Sequence, residues 1–421
     1  MEDARDIERE DGIGFPGKEV DMEWKGRVSR IGPLAALASL YFIFGFITCL
    51  NDILVPHLKA MFQLGYAGAM LIQFSFFSAY FIMSLPSGWL VDRIGYRRGM
   101  VSGLATMAAG CFLFFPAAGA RSYPLFLAAL FFLAAGITLL QVAANPYVAV
   151  LGSPDTASSR LTLTQGFNSL GTTLAPLFGS VLILAGAGAA PVQLPYLGLA
   201  GVLVALALFT AWFPWPGAGP GPAAPAGAGG APGLWRHRPL RLGALAIFLY
   251  VGAEVGIGSF LVNYLNQLGG GTRTLAQSAR YVSFYWGGAM VGRFAGAAVM
   301  RLVPPPRVLA ASALAALLLV LTACAASGPV SMAAILAVGF FNAIMFPTIF
   351  TLAIKGLGDA RMGQASGILC MAVVGGALVP LAQGLLADWQ GIRMAFLLPA
   401  LCYGYIVFYG AAGHAPAPGS L

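Results

Sequence analysis

Twelve apolar stretches, most of them about long enough to cross a bilayer, constrain this chain more than any other feature. A membrane-spanning helix needs about 20 apolar residues, whereas a barrel strand alternates over about 10. Glycine, proline or charged residues bound the stretches, which lie at 34–58, 67–91, 99–118, 123–151, 160–186, 193–213, 240–265, 279–301, 308–326, 330–354, 363–387 and 393–411. The sequence therefore predicts an all-α membrane protein with twelve transmembrane helices.

The composition excludes other classes of protein. Hydrophobic residues make up 59% of the 421 residues and charged residues 9%, a balance that soluble domains of this length do not reach. The five cysteines lie in apolar stretches without metal-ligand spacing, so we expect no metal and no cofactor. The sequence shows no paired nucleophile and base and no phosphate loop, so we expect a protein that is not an enzyme.

The stretches fall into two groups of six, separated by a segment rich in proline and glycine. Such a segment cannot bury a core and is typical of a linker. Two six-stretch groups are typical of duplicated transporters, whose site lies between the halves near the midplane. We expect a cytosolic N-terminal tail at 1–32, a six-helix bundle at 33–213, a cytosolic linker at 214–238, a second six-helix bundle at 239–412 and a cytosolic tail at 413–421.

The distribution of Lys and Arg predicts the orientation. With a cytosolic N-terminus, 17 of the 23 basic residues lie inside, 5 lie outside and Arg293 lies within a span. The positive-inside rule then puts both termini in the cytosol of a multi-pass protein, which we expect in a bacterial inner membrane. The net charge of +8 is a signal of topology, and no nucleic acid partner is expected.

Two acids lie deep within apolar stretches. Nine of the fifteen acids are in the N-terminal tail and four are at span ends or loops, which leaves Asp52 and Glu254, each in the first stretch of its half. A charged side chain at mid-membrane costs roughly 2.5 to 3.5 kcal/mol and marks a functional site. We predict that Asp52 and Glu254 couple transport to a proton or another cation. The alternative is a permanent pair with a buried arginine or a cap on a broken helix.

Neutral polar side chains also occur within the apolar stretches of both halves. Amides both donate and accept hydrogen bonds, which suits a polyhydroxylated ligand without charge, although they also connect membrane helices. Trp286 offers a ring-stacking face, for which simple packing is the alternative. The predicted substrate-binding residues are Gln73, Gln141, Asn145, Gln165, Asn168, Asn263, Trp286, Asn342 and Gln383.

The segment 88–98, GWLVDRIGYRR, joins the second and third stretches. It resembles the loop signature of the major facilitator superfamily, in which glycines, an acid and basic residues form a tight turn and ion pairs. The resemblance implies a conformational latch on the inward face. Arg293, within the segment 292–296, occupies the equivalent place in the second half. The predicted latch residues are Gly88, Asp92, Arg93, Gly95, Arg97, Arg98 and Arg293.

Further segments resemble one branch of that superfamily. The segments 51–54, 143–152, 160–169 and 346–350 are similar to the sugar/proton symporters that include the L-fucose permease and bacterial glucose/galactose transporters. The resemblance implies that Asp52 is the membrane-embedded acid and that Gln165 and Asn168 face the sugar. The fucose permease has a glutamate at the position of Gln141, whereas the glucose/galactose members carry glutamine. The resemblance therefore favours glucose or galactose as the substrate.

We therefore predict proton-coupled import of a hexose-like sugar, glucose or galactose, by alternating access. The expected partners are the sugar, a proton and the lipid bilayer, and the expected state is a monomer. A sodium-coupled sugar symporter is the main alternative, since Asp52 or Glu254 would also hold that cation. A drug/proton antiporter of the same superfamily is a weaker one, because the segment 171–176 lacks the Gly-Pro-rich motif of those proteins.

Overall fold

The computed structural model describes residues 31–63, 66–182, 190–217, 231–268, 275–358 and 361–415. Nearly all of these residues are helical. The predicted N-terminal tail and most of the predicted linker and C-terminal tail lie outside the described residues, so the expected domain boundaries stay predictions. The described helices follow the expected six-plus-six arrangement.

The N-terminal half contains six long helices. One continuous helical stretch, Tyr66–Gly119, is interrupted at Gly95, where φ is 83°. Because a side chain disfavours this conformation, glycine permits the chain to turn there without strain. We number the two arms α2 (66–94) and α3 (96–119). The others are α1 (Ile31–Met61), α4 (Tyr123–Val150), α5 (Ala157–Leu182) and α6 (Ala190–Trp212).

The end of α4 is held to the start of α5 by one arginine. Arg160 donates to the carbonyl oxygens of Ala149 at 2.7 Å and Val148 at 3.2 Å, and to that of Ser153 at 3.0 Å in the connection. The last carbonyls of a helix have no partner within it, so a basic side chain there both satisfies them and complements the helix dipole.

The C-terminal half repeats the pattern. Its helices are α7 (Arg238–Leu268), α8 (Leu275–Val299), α9 (Pro305–Ala325), α10 (Gly328–Ile354), α11 (Met362–Gln390) and α12 (Ile392–Gly413). Helix α10 is broken between Asn342 and Met345. Pro347 explains the break, because its ring clashes with the carbonyl four residues earlier, at Ala343. A 3₁₀ turn at Ala372–Val374 interrupts α11.

Within the described residues, nine helical stretches are long and apolar enough to cross a membrane, and one of them joins α2 to α3. Helices α5 and α8 are not in that set, and their sequences carry more polar residues. The two helices pack against each other where the halves meet. Polar side chains are tolerated in a span when they face protein rather than lipid.

Packing divides the helices into two bundles. In the N-terminal half α1 packs on α5, and the continuous stretch of α2 and α3 packs on α4; in the C-terminal half α7 packs on α10, α11 and α12. The bundles meet chiefly through α2 against α11 and α5 against α8, with α5 on α10 and α4 on α11. A site between the halves is therefore lined by helices of both.

Candidate functional site

The halves touch at the end of the bundle that holds the turn between α2 and α3, which we call the Gly95 end. The carboxylate of Asp92 on α2 accepts hydrogen bonds from the backbone N–H of Gly363, at 2.7 Å, and of Gln364, at 3.1 Å. These are the first N–H groups of α11, which lack partners within that helix. An acid there also complements the helix dipole. Asp92 thus caps a helix of the other half.

Glycines allow α2 and α11 to approach this closely. A Cβ atom added to Gly88 would lie 2.6 Å from the carbonyl oxygen of Gly363 and 3.0 Å from Cα of Gln364. The contact is therefore one of backbone against backbone.

The basic residues of the segment 88–98 do not bond to Asp92 in this arrangement. The guanidinium carbon of Arg93 lies 3.7 Å from the ring centroid of Trp89, as in a cation–π contact. Arg97 and Arg98 are exposed. The expected turn is present at Gly95, and the described hydrogen bonds of Asp92 come from backbone amides of α11.

A second connection crosses from α8 to α5. The guanidinium of Arg293 donates to the hydroxyl of Ser169 and, at 3.3 Å, to the carbonyl oxygen of Gln165, while its Nε donates to the carbonyl oxygen of Ala343 at 3.4 Å. Nearby, Ser158 and Thr351 share a hydrogen bond of 2.6 Å across the same interface. Arg293 therefore connects the two halves from one helix, α8, to another, α5, and not through a loop.

Four of the predicted amides gather on α4 and α5. The hydroxyl of Tyr41 donates to Oδ1 of Asn145, and Nδ2 of Asn168 donates to the carbonyl oxygen of Tyr41 at 3.1 Å. Gln141 donates to the hydroxyl of Tyr80 at 2.7 Å. Gln165 is also buried and lies one turn before Asn168 on α5. Nδ2 of Asn145 is buried and donates no hydrogen bond. Helices α1, α2, α4 and α5 thus bring buried hydrogen-bonding groups to one half.

Sequence reasoning missed the two tyrosines of this cluster. Tyr41 and Tyr80 stand among aromatic residues in apolar stretches, where nothing separates a hydrogen-bonding tyrosine from a packing one. The amides themselves could have indicated these tyrosines. A buried amide needs a hydrogen-bond partner, and a tyrosine hydroxyl is one of the few partners that an apolar helix offers.

Asn342 plays a different part in the C-terminal half. Its Nδ2 donates to the hydroxyl of Tyr285 at 2.7 Å, and its Oδ1 accepts from the hydroxyl of Tyr403 at 2.7 Å. The side chain connects α8, α10 and α12 and is fully buried. In this conformation both ends of the amide serve to hold helices together.

Replacing Asn342 with alanine is expected to destabilise the protein by about 1–3 kcal/mol, because it leaves two buried tyrosine hydroxyls without a partner. Thermal unfolding in detergent measures this as a lower midpoint. The matched control combines Asn342→Ala with Tyr285→Phe and Tyr403→Phe, which removes the unpaired hydroxyls and should recover part of the loss. An Asn342→Ala protein that unfolds at the wild-type temperature would contradict this role.

Two further predicted residues have buried side-chain atoms that meet no hydrogen-bond partner by distance and angle. Oε1 of Glu254 on α7 accepts no hydrogen bond, and neither amide atom of Gln383 on α11 has one. Gln383 abuts α7, where a Cβ atom on Gly256 would collide with its Oε1. Buried polar atoms in native folds nearly always have a hydrogen-bond partner, so these atoms are candidates for contact with a polar ligand.

The remaining predicted residues are exposed or lie outside the described side chains. Asn263 on α7 and Trp286 on α8 are exposed, and a Cβ atom on Gly258 would lie 3.3 Å from the Trp286 ring, which places Trp286 against α7. Asp52 and Gln73 lie in α1 and α2, but their side chains are outside the part that the structure describes.

The Major Facilitator Superfamily sequence profile matches residues 37–373. The chain belongs to the major facilitator superfamily. The expected superfamily and its fold of two six-helix bundles are confirmed.

Superfamily members with named activities resemble the chain over most of its length. It is 55% identical over 388 residues to the glucose/galactose transporter of Brucella abortus biovar 1, covering 90% of this chain and 93% of that one. It is 36% identical to the L-fucose-proton symporter of Escherichia coli K12, covering 93% and 95%. These relatives are transporters, not enzymes.

A solved structure of the superfamily matches the fold. The crystal structure of the transporter FucP in the outward conformation superposes with a TM-score of 0.85 at 33% identity, covering 93% of this chain and 100% of that chain.

Proposed function

We propose that this protein imports a hexose-like sugar together with a proton, by alternating access between its two six-helix halves. The observation that carries the proposal is the 55% identity to a glucose/galactose transporter over 90% of this chain. The relative named as an L-fucose-proton symporter supports the proton as the coupling ion. Glucose and galactose are the substrates we favour.

The sugar is proposed to bind between the halves, against the buried amides of the N-terminal one. Gln141, Asn145, Gln165 and Asn168 provide donors and acceptors on α4 and α5, and Nδ2 of Asn145 is a buried donor still available. The C-terminal half contributes Gln383, whose amide is also unpaired, with Asn263 and Trp286 on the facing helices. Gln73 completes the proposed set, and Asn342 acts by positioning Tyr285 and Tyr403.

Asp52 is the proposed proton carrier, with Glu254 as a second carboxyl in the other half. Neutralising a carboxylate lowers the free-energy cost of enclosing it in a dry cavity, so protonation permits the halves to close over the site. Gln141 cannot titrate, which leaves α4 without a proton site at that position. We propose that one proton, carried by Asp52, moves with each sugar.

One proton is sufficient as a driving force. A charge that moves down about 150 mV releases roughly 3.5 kcal/mol, at about 2.3 kcal/mol per 100 mV. Since about 1.4 kcal/mol corresponds to a tenfold ratio, this supports accumulation of a few hundred-fold.

The Gly95 end is proposed to face the cytosol. The excess of Lys and Arg on that side supports this orientation and puts both termini inside a bacterial inner membrane. Asp92 and Arg293 then latch the cytosolic side, so the site would be reached from outside in this conformation. We propose that a monomer carries out the full cycle, because each chain contains both halves.

Uptake into proteoliposomes tests the coupling ion. The purified protein is given labelled galactose under an inward proton gradient, an inward sodium gradient, or neither. We expect accumulation with the proton gradient and none with sodium alone, and unlabelled glucose should compete. Accumulation driven by sodium without a proton gradient would favour the sodium-coupled alternative.

A further inference from the structure

A cavity of about 750 Å³ lies between the two halves at the Gly95 end. The N-terminal half contributes the end of α4, the connection at 151–156 and the start of α5, and the C-terminal half contributes the ends of α8 and α10 with the segments that follow them. Pockets for small molecules span roughly 300–1,000 Å³, so the cavity has the size of a ligand site. The described residues that line it include none of the predicted sugar-binding residues.

Two basic side chains line the cavity. Arg301 follows α8 and Lys355 follows α10, and both are exposed. Within the described part of the chain, neither side chain donates a hydrogen bond or pairs with a carboxylate. Asp155 is the one acid among the described lining residues, so two positive charges stand against one negative, and His414 is a further ionisable group. This balance favours an anionic ligand.

The wall next to Arg301 is rigid and offers few backbone donors. Three successive prolines at 304–306 line the cavity between α8 and α9. A proline has a fixed φ and no N–H group. The next N–H groups, of Arg307 and Val308, donate to the carbonyl oxygen of Pro304 at 3.0 and 3.3 Å. On this side of the cavity, donors for a ligand therefore come from side chains, and the preformed wall lowers the entropy cost of binding.

The two halves meet in the cavity wall. Ser158 of α5 and Thr351 of α10 share a hydrogen bond of 2.6 Å, and both residues line the cavity and are buried. Opening of the Gly95 end would separate α5 from α10 and remove this wall. The complete cavity is therefore a property of the closed state, and a ligand that contacts both walls stabilises that state.

We propose that this cavity binds a small soluble phosphate ester, with Arg301 and Lys355 on the phosphate, and that the bound ester holds the Gly95 end closed. Arginine donates two parallel hydrogen bonds to phosphate oxygens, and lysine supplies a point charge. Hydrogen bonds between charged groups of this kind are stronger than those between neutral groups. The headgroup of an anionic lipid has the same chemistry, and the experiment separates the two sources.

The consequence for transport rests on the proposed function. A neutral hexose that has entered a cell is retained there when phosphoryl transfer converts it to an anion, and the product of that class of reaction is a phosphate ester. An ester that accumulates on the side of the Gly95 end would keep this end closed. The product of the next reaction would thus slow further import of the sugar.

Titration calorimetry measures binding without relying on transport. Glucose 6-phosphate is added to the purified protein in nanodiscs of phosphatidylcholine, and we expect saturable binding. The double variant Arg301→Gln/Lys355→Gln should bind at least tenfold more weakly, whereas Arg307→Gln, which removes an exposed charge outside the described lining, should bind as the unmodified protein does. Asp155→Asn should bind at least twofold more tightly, and Asp388→Asn, at the other end of α11, is its matched control.

The lipid source is tested by thermal unfolding in nanodiscs with and without phosphatidylglycerol. We expect glucose 6-phosphate to raise the unfolding midpoint in phosphatidylcholine alone. A midpoint raised only by phosphatidylglycerol, and only when Arg301 and Lys355 are present, would overturn the soluble ligand and assign these side chains to a lipid headgroup. No saturable binding of glucose 6-phosphate, or equal affinity in the double variant and in Arg307→Gln, would overturn the site.

Uptake of labelled galactose under a proton gradient tests the effect on transport. With glucose 6-phosphate on both sides of the proteoliposome membrane, the initial rate should fall at least threefold in the unmodified protein and stay unchanged in the double variant. Unchanged uptake by a protein that binds the ester would overturn its hold on the Gly95 end. Binding by a protein that carries no galactose would refute the proposed function and leave the site standing.

Discussion

Replacing Asp52 with asparagine is expected to abolish accumulation of sugar against a gradient and to spare exchange of sugar across the membrane. Asparagine has nearly the same size but cannot take up a proton, so the halves can still close over a neutral site. The accumulation ratio should fall from as much as a few hundred-fold to about one, the loss of roughly 3.5 kcal/mol of driving force. Uphill uptake and counterflow of labelled galactose in proteoliposomes measure the two activities separately.

Asp388→Asn serves as the control for this substitution, because it removes the same chemical group from an exposed position near the end of α11. It should accumulate sugar as the unmodified protein does. If Asp52→Asn also accumulates sugar normally, Asp52 has no part in coupling, and Glu254 becomes the carboxyl to test.

Replacing Gly363 with leucine is expected to stop the transport cycle altogether, including exchange. A Cβ atom at Gly363 would lie 2.6 Å from the carbonyl oxygen of Gly88 and would also collide with the Asp92 carboxylate. Neither the backbone nor the capping acid can withdraw without opening the Gly95 end. The protein should fold, with that end held open, and counterflow should fall by more than tenfold.

Gly201→Leu is the matched control, since a Cβ atom on Gly201 of α6 meets nothing within 4 Å. This variant should fold and exchange sugar at wild-type rates. Spin labels attached at Trp212→Cys, at the end of α6, and Leu302→Cys, just after α8, report the distance between the halves in both variants, because both side chains are exposed. Wild-type counterflow in Gly363→Leu, or an unchanged distance distribution, would show that this contact does not have to form.

The architecture could be predicted from the sequence because the bilayer imposes a simple rule. Every backbone polar group must be satisfied within the membrane, so apolar stretches of about 20 residues become helices. The turn at Gly95 was also predictable, from glycine among charged residues. The helices nevertheless extend further than the apolar stretches: α2 and α3 run to within one residue of Gly95 on each side.

Contacts between distant parts of the chain could not be predicted in this way. The motif indicated that Asp92 matters, but its partner Gly363 lies 271 residues away and contributes only a backbone N–H, which no side-chain pattern reveals. Arg293 is a similar case. Its place in the second half suggested a copy of the turn motif, whereas its hydrogen bonds reach Ser169, 124 residues away on α5.

For the amides, too, the sequence predicted the location in the membrane but not the hydrogen-bond partners. Composition and spacing predicted that Gln141, Asn145, Gln165 and Asn168 lie within the membrane on α4 and α5. Which amide holds helices together depends on geometry, because two tyrosines from different helices must meet the same side chain, as they do at Asn342. Sequence alone therefore left binding and helix connection as equal alternatives for each residue.

Movement of protons with sugar tests the central claim most directly. A pH electrode follows the external medium of lightly buffered proteoliposomes that contain the purified protein, in the absence of sodium, while galactose is added. We predict an immediate alkalinisation that is absent from vesicles with Asp52→Asn and from vesicles without protein. Galactose entry with no change of pH, under conditions in which the same vesicles accumulate the sugar, would contradict proton-coupled transport.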